Sequence, residues 1–324
     1  MLIDKFGRQI NYLRLAVTDR CNIRCTYCMP AEGLKFLGRQ ELLTYEEMLR
    51  LVRILSEAGV EKVRLTGGEP FVRKDFLSLL EGLHHIDGIR SLHITSNGTF
   101  PLHLIEQLEK LQINSINLSL DTLNRERYKQ ITRRDEFDHV WNVLQRLLDT
   151  PIRIKVNVVV MVGINDQDIV DMAELSQKNN IEVRFIEQMP FNGGVRNPKV
   201  IDHNQILKQL EERYELIALD VQPGDTARNY KIKDSLGSIG IIAAHSRTFC
   251  GTCNRIRITP QGMLMNCLYD KAGLDLKTLL REHHDDAQIL SAVQEHILRK
   301  SQDGWIAEGK RSDEHYESMA LIGG

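Results

Sequence analysis

The sequence predicts an α/β protein with parallel strands, in either an open doubly wound sheet or a partial barrel. Two observations predict it. Strand-like and helix-like stretches alternate six times over roughly the first 200 of 324 residues, and alternating βα units fold as parallel strands joined by right-handed crossovers. Six units also fall short of the eight that close a (β/α)8 barrel, so a barrel would keep an open side. In both architectures the C-terminal ends of the strands carry ligands.

The elements follow in order. Residues 13–18 form an apolar, strand-like run. Over residues 45–58, Met48, Leu49, Val52 and Leu55 carry helical spacing and Gly59 stops the helix. Thr44 is its N-cap, and Glu47 three residues on completes a capping box. Lys62–Thr66 reads as a strand ending in Gly67-Gly68, followed by a helix over 76–83 and a strand over 92–95 with a Ser96-Asn97-Gly98 turn. A helix over 102–111, a strand over 116–120 and a helix over Phe137–Leu148 come next. Then come a strand over 152–161, a helix over 166–178, a strand over 183–187 and a helix over 204–214. Pro223-Gly224-Asp225 marks a turn or linker, and the expected domains are 1–220 and 221–324. Beyond it lie short strands at 237–244, 255–259 and 263–268, the last two paired through Pro260-Gln261-Gly262, and helices at 274–281 and 289–299.

Composition narrows the function. Hydrophobic residues make up 42% and charged residues 27%, which excludes collagen-like, disordered and disulfide-dense classes. With 42 Lys+Arg against 44 Asp+Glu, the net charge of −2 argues against nucleic acid or membrane surfaces as main partners. Residues 1–9 lack the apolar stretch of a targeting signal and no apolar run is long enough to span a bilayer, so a cytoplasmic location is expected. In a reducing compartment, cysteines serve as ligands or catalytic groups more often than as disulfides.

All six cysteines fall into two triplets: Cys21, Cys25 and Cys28, in C-N-I-R-C-T-Y-C, and Cys250, Cys253 and Cys267. Zinc in a structural site wants four protein ligands; His245 could complete the second triplet, and no histidine lies near the first. Three cysteines on a 4Fe–4S cluster leave one iron open, and open positions are where substrates bind. The spacing favours iron–sulfur and leaves zinc as the alternative. A two-cluster electron-transfer protein is a third reading, but full ligation would take four cysteines per cluster.

Other clusters are individually ambiguous. Thr66-Gly67-Gly68-Glu69-Pro70 follows a strand and would bring main chain close to a ligand, without the spacing of a dinucleotide or phosphate loop. Arg255 and Arg257 alternate with Ile256 and Ile258 and would share one face. With Arg14 and Arg64 in other predicted strands, they suit an anion such as a polyphosphate. Arg153, Lys155 and Asn157 share a strand face, where a buried Lys155 would need a polar partner. Thr95, Ser119 and Met189 lie near strand C-termini.

The C-x-x-x-C-x-x-C motif followed by a strand ending in G-G-E-P resembles the radical S-adenosylmethionine (SAM) superfamily. A closer resemblance runs along essentially the whole chain. Asp4-Lys5-Phe6-Gly7-Arg8, Leu13 to Arg20, Met29-Pro30, the Cys250-x-x-Cys253-Asn254-Arg255-Ile256-Arg257 segment, Cys267 and terminal Gly323-Gly324 are similar to the GTP 3′,8-cyclase family of molybdenum cofactor synthesis.

That resemblance implies an incomplete (β/α)6 barrel, closed laterally by a C-terminal extension carrying a second cluster. It implies that Cys21, Cys25 and Cys28 hold one 4Fe–4S cluster, whose open iron chelates SAM. Tyr27, Gly68, Ser119 and Met189 match SAM-binding positions. Cys250, Cys253 and Cys267 would hold the second 4Fe–4S cluster, facing the guanine of GTP. Arg14, Arg64, Thr95, Lys155, Arg255, Ile256 and Arg257 match GTP-binding positions, and Gly323-Gly324 would be a functional tail. The implied reaction is reductive cleavage of SAM, removal of the ribose 3′ hydrogen of GTP, and bonding of the 3′ carbon to C8. The partners implied are an external one-electron reductant such as a flavodoxin or ferredoxin, and a downstream cyclic pyranopterin monophosphate synthase. The assembly is a monomer or homodimer. Residues 262–266 and the 189–194 loop depart from the family pattern. A radical SAM enzyme of another substrate class with an auxiliary cluster is the nearest competing reading.

Overall fold

A computed structural model describes residues 1–191, 199–311 and 317–323. Along the chain the elements are β1 (Tyr12–Ala16), α1 (Tyr45–Glu57), β2 (Lys62–Thr66), α2 (Phe76–His84), β3 (Ser91–Ser96), α3 (Leu104–Lys110), β4 (Ser115–Ser119), α4 (Arg125–Thr132), α5 (Phe137–Leu148), β5 (Arg153–Val160), α6 (Ile169–Lys178), β6 (Glu182–Glu187) and α7 (His203–Glu211). They continue with β7 (Leu216–Ala218), β8 (Arg228–Ile232), β9 (Ser238–Ile242), β10 (Arg255–Ile258), β11 (Met263–Met265), β12 (Leu274–Asp275), α8 (Leu276–Arg281), α9 (Asp286–Leu298), α10 (Gly304–Gly309) and α11 (Met319–Ile322). No helix of the described residues is long and apolar enough to cross a membrane.

The chain divides into two compact units. The first joins residues 1–22, 34–94 and 250–324; the second joins 23–33 and 95–249. In the first unit β10, β1, β2 and β3 run parallel in that order, and β11 and β12 continue antiparallel from β10. In the second unit β4, β5, β6 and β9 run parallel, with β8 and β7 continuing antiparallel from β9. Strands beyond residue 220 therefore enter both units: β9 extends the second from β6, and β10 extends the first from β1.

Local sequence explains the elements that frame the candidate site. Thr44 Oγ1 accepts from Glu47 N at 3.2 Å and Glu47 returns the bond to Thr44 N at 2.7 Å, a cap whose loss costs about 1 kcal/mol. That fixes α1, whose Met48, Leu51, Val52, Ile54 and Leu55 are buried, with α2 and α9 packed beside it. On β5 the even-numbered residues from Ile154 to Val160 are buried, while Lys155, Asn157 and Val159 lie half-buried on the opposite face. One side of each strand is thus core, and the other is free to carry polar groups.

Candidate functional site

The first unit gathers a row of basic side chains. Parallel register sets Arg257, Arg14, Arg64 and His93 opposite one another on β10, β1, β2 and β3, and a second row holds Arg255, Tyr12 and Lys62. The intervening Leu13, Leu15, Ile256 and Ile258 are fully or almost fully buried, so the cations take the other face. The Ile256 side chain belongs to that apolar core, which leaves its main chain for any contact with a nucleotide. Burial, with Arg257, Arg64 and Arg255 nearby, pushes the Arg14 pKa down to about 9 against the opposing pull of Tyr12, and its buried Nε has no hydrogen-bond partner. Guanidinium groups on strands about 4.8 Å apart repel unless an anion lies among them. The chemistry of such a row suits a polyanion.

Hydrogen bonds from Arg64 and Arg257 organise this row. Arg64 Nε donates to the Tyr12 hydroxyl at 2.7 Å and its Nη1 to the Ile94 carbonyl at 3.0 Å. Arg257 Nη1 donates to the Gly323 carbonyl at 3.0 Å; Gly324 lies outside the described residues. Tyr12 was not anticipated from sequence. Burial raises its pKa, but Arg64, Arg14 and Lys62 outweigh that and bring it to about 7. Ultraviolet difference absorbance of tyrosinate should therefore show a transition near pH 7 that is missing in Tyr12→Phe; identical titrations would refute the assignment. The folded value lies below the ordinary tyrosine value of 10.0. The stabilisation from this group is thus fully present above about 10 and is lost as pH falls through about 7.

The second triplet adjoins the row. Cys250 and Cys253 share a tight turn, with Cys253 N donating to Cys250 O at 3.1 Å. Arg255 Nη2 donates to Cys253 Sγ at 3.6 Å. Burial raises the Cys253 pKa, but Arg255 and Lys300 overcome it and lower the thiol to about 6, the thiolate character that iron ligation needs. Burial raises those of Cys250 and Cys267. Lys300, 2% exposed, donates to the Arg255 carbonyl at 2.9 Å and to the Asn266 carbonyl, so one ammonium ties together the segments bearing Cys253 and Cys267. It sits at the end of a helical run and nothing in the sequence marks it. Arg8 pins the same region through the Cys250, Ser301 and Gln302 carbonyls and is itself held by Asp4 at 2.5 Å.

The first triplet is spread over both units. Cys21 lies half-buried in the first unit. In the second, Cys28 N and Met29 N both donate to Cys25 O at 3.0 Å, curling the chain around buried Cys25. Tyr27 donates to Asp121 Oδ2 at 3.0 Å, and Asp121 Oδ1 accepts from Val159 N at 2.8 Å. Burial pushes Asp121 up to about 7 and, with Asp121 alongside, raises Tyr27 well above its ordinary value. Among the described residues, no three His, Cys, Asp or Glu side chains are grouped so as to hold a single metal ion. In a 4Fe–4S cluster each thiolate binds its own iron, and three thiols per triplet would supply three of the four ligands by donor chemistry.

Gly67 and Gly68 sit where no side chain fits. Gly67 has φ of +126°, and a Cβ there or on Gly68 would come within 2.2 Å of the Thr18 or Arg20 carbonyl oxygen respectively. Gly68→Ala is expected to cost about 3 kcal/mol, to lower the Tm of the apoprotein and to abolish SAM binding by equilibrium dialysis. Wild-type affinity in that variant would contradict the role.

In the second unit, Lys155 finds its anticipated partner: Nζ pairs with Glu182 Oε2 at 2.5 Å, and Glu182 also accepts from Arg184. Burial and Arg184 lower the Lys155 pKa to about 8 against Glu182. Ser119 stands opposite Asn157 in the β4–β5 register, and Thr95 Oγ1 on β3 is buried without a partner. Met189 is half-buried just beyond β6, and residues 192–194 of its loop lie outside the described residues. Glu187, at 0% exposed, accepts from the main-chain N–H of His203, His245 and Ser246 and from the Ser246 hydroxyl. That hub was also unforeseen.

Residues 15–176 match the family model described as the Radical SAM superfamily, and residues 181–305 match Molybdenum Cofactor Synthesis C. The chain is 40% identical to GTP 3′,8-cyclase of Desulforamulus reducens over the whole of both chains. It is 38% identical to Molybdenum cofactor biosynthesis protein moc-5 of Caenorhabditis elegans, covering 97% of this chain and 53% of that protein. The chain therefore spans about half the length of its animal relatives. Streptococcus suis SuiB, in a crystal structure bound to precursor peptide SuiA, aligns over 98% of this chain and 76% of its own with a TM-score of 0.66 at 15% identity, a likeness of fold alone.

Proposed function

Because the chain belongs to the GTP 3′,8-cyclase family of the radical SAM superfamily, we propose that it converts GTP to (8S)-3′,8-cyclo-7,8-dihydroguanosine 5′-triphosphate in molybdenum cofactor biosynthesis. The observation that carries this reading is the guanidinium row of Arg257, Arg14 and Arg64 beside a three-cysteine site. A triphosphate carries about four negative charges at neutral pH and suits such a row.

In this reading the strands form an incomplete (β/α)6 barrel, closed laterally by residues 221–324. Cys21, Cys25 and Cys28 hold one 4Fe–4S cluster and Cys250, Cys253 and Cys267 the other. When bound, the first cluster and SAM supply the radical chemistry that removes the ribose 3′ hydrogen, and the second offers an open iron to guanine. The chain's own residues orient the reactants and exclude water, which is what selective attack on one C–H bond requires. Arg14, Arg64, Arg255 and Arg257 offset the phosphates, with Lys155 and Thr95 as further GTP contacts. The Gly67-Gly68 turn bares main chain to SAM, alongside Tyr27, Ser119 and Met189. The Tyr27–Asp121 hydrogen bond fixes the turn that carries Cys25 and Cys28. The Gly323 carbonyl caps Arg257. A flavodoxin- or ferredoxin-type donor supplies electrons in the cytoplasm, and a cyclic pyranopterin monophosphate synthase consumes the product of this monomer or homodimer.

The test uses anaerobically reconstituted protein with dithionite, SAM and GTP. GTP-dependent 5′-deoxyadenosine carrying deuterium from 3′-deuterated GTP is the expected result. Cleavage that ignores GTP would remove the substrate assignment; no cleavage by protein with verified iron and sulfide would remove the enzymatic one.

A further inference from the structure

Tyr128, on α4 in the second unit, buries a hydroxyl that has no assigned role. The residue is 2% exposed, and its phenolic oxygen has no hydrogen-bond partner. The Thr132 hydroxyl lies near it but gives its proton to the Tyr128 and Arg134 carbonyls, at 2.8 and 2.9 Å. The ring stands edge-on to Phe137, with centroids 5.7 Å apart. A phenylalanine would make the same ring contact at no polar cost. An unpaired hydroxyl in such a place is costly and uncommon, and it needs a reason.

The helix brings that hydroxyl to the first triplet. Tyr128, Ile131 and Thr132 are the buried residues of α4 and share one face at i, i+3, i+4 spacing. The chain on either side of Cys25 is pinned to the end of the same helix. Arg24 N donates to the Thr132 carbonyl and Thr26 N to the Ile131 carbonyl, both at 2.9 Å. Arg133 Nη1 donates at 3.0 Å to the carbonyls of Arg24 and Met29, closing the loop that carries Cys25 and Cys28. Burial raises the Tyr128 pKa, and the charges of Cys25 and Asp121 alongside raise it further. The phenol therefore keeps its proton and stands as a donor beside a thiolate. Asp121 already accepts from Tyr27 and from Val159 N, which leaves the Cys25 sulfur as the acceptor.

We propose that Tyr128 tunes the first cluster, its hydroxyl donating a hydrogen bond to the Cys25 sulfur once that sulfur ligates iron. The inference rests on the reading that Cys21, Cys25 and Cys28 hold a 4Fe–4S cluster. On reduction one electron enters the cluster and no covalent bond changes. The added negative charge strengthens a hydrogen bond to sulfur, so the donor favours the reduced state and raises the reduction potential. Tyr128 touches no substrate; it acts through Cys25.

The experiment is a redox titration of the full-length, anaerobically reconstituted protein, followed by electron paramagnetic resonance, in wild type and Tyr128→Phe. The signal that is lost in Cys25→Ala identifies the first cluster, and the other signal is the internal standard. The equilibrium constant for reducing the first cluster is expected to fall about ten-fold in Tyr128→Phe, the scale of one hydrogen bond. For one electron that is a potential lower by about 59 mV. The potential of the second cluster should not move. Pulsed measurements in deuterium oxide should find an exchangeable hydrogen coupled to the reduced first cluster in wild type and missing from the variant. Iron content and Tm of the holoprotein serve as folding controls.

The outcomes separate the proposal from the reading beneath it. A folded, fully loaded Tyr128→Phe with the wild-type potential at the first cluster would overturn the proposal alone. Equal shifts at both clusters would also overturn it, because a loosened fold moves both and a bond at Cys25 moves one. If Cys25→Ala keeps both signals, Cys25 ligates no cluster; the functional reading then fails, and the proposal with it.

Discussion

Replacing any one of Cys21, Cys25 or Cys28 with alanine is expected to abolish 5′-deoxyadenosine formation and to remove half of the iron from anaerobically reconstituted protein. The chain has six cysteines, three in each triplet, so under the proposed assignment the loss of one leaves two ligands where three are needed. Alanine at Cys250, Cys253 or Cys267 should remove the other half of the iron. The phenotypes then differ: the second set keeps basal SAM cleavage and loses the cyclised product. Cys253 is the most informative of these, because its thiol is lowered to about 6 by Arg255 and Lys300 against burial and is thus ready to bind metal near neutral pH. Full iron retention in any of the six variants would refute the ligand assignment, and product formation without the second cluster would refute its role toward GTP.

Arg257→Ala should weaken GTP binding about 100- to 1,000-fold and leave SAM binding within about two-fold. A guanidinium contributes charge-assisted hydrogen bonds worth about 1.5–3 kcal/mol each, and two to a phosphate account for that loss. Arg257→Lys keeps the charge without the fork and should recover only part. The stability signature runs the other way. Burial pushes the Arg257 pKa down to about 10, and Arg255 adds to the shift; Arg257 in turn lowers that of Arg14. Removing one like charge from a crowded row relieves the empty protein. The variant should therefore melt no lower than wild type while binding GTP poorly, the trade between stability and function expected of a binding site. Equilibrium dialysis of both ligands, with calorimetry of the apoprotein, checks both halves. Unchanged GTP affinity would remove Arg257 from the site.

Much of the fold was legible where local rules act alone. Lys62–Thr66 and Phe137–Leu148 have the bounds that periodicity predicts, and the Thr44–Glu47 box is formed as read. Where local signals are weak, the reading failed. Helix α4 buries only Tyr128, Ile131 and Thr132, too few apolar residues to show a stripe. The β7–β8 hairpin was missed because β7 is largely exposed. The helix expected from residue 166 begins as a 3-10 turn and becomes α-helical only at Ile169. Long-range pairing was not legible at all. Arg255 and Arg257 were read as sharing a face, but nothing in their neighbourhood says that β10 lies against β1. Tyr12, Lys300 and Glu187 escaped for that reason: each acquires meaning only through partners distant in sequence.

The pairing of Tyr12 with Arg255 also sets a schedule for synthesis. The strand made first has one neighbour, β2, soon after it emerges from the ribosome. Its other neighbour, β10, is translated roughly 240 residues later, and at about 5–20 residues per second that is a wait of about 12–50 seconds. The unit spanning 23–33 and 95–249 is fully synthesised in the meantime, whereas the first strand's second edge stays open for pairing with another chain. Iron delivered before the last quarter of the protein is made would meet only Cys21, Cys25 and Cys28. Slow loading on a full-length, folded chain, rather than early loading on a nascent one, is the order this connectivity favours.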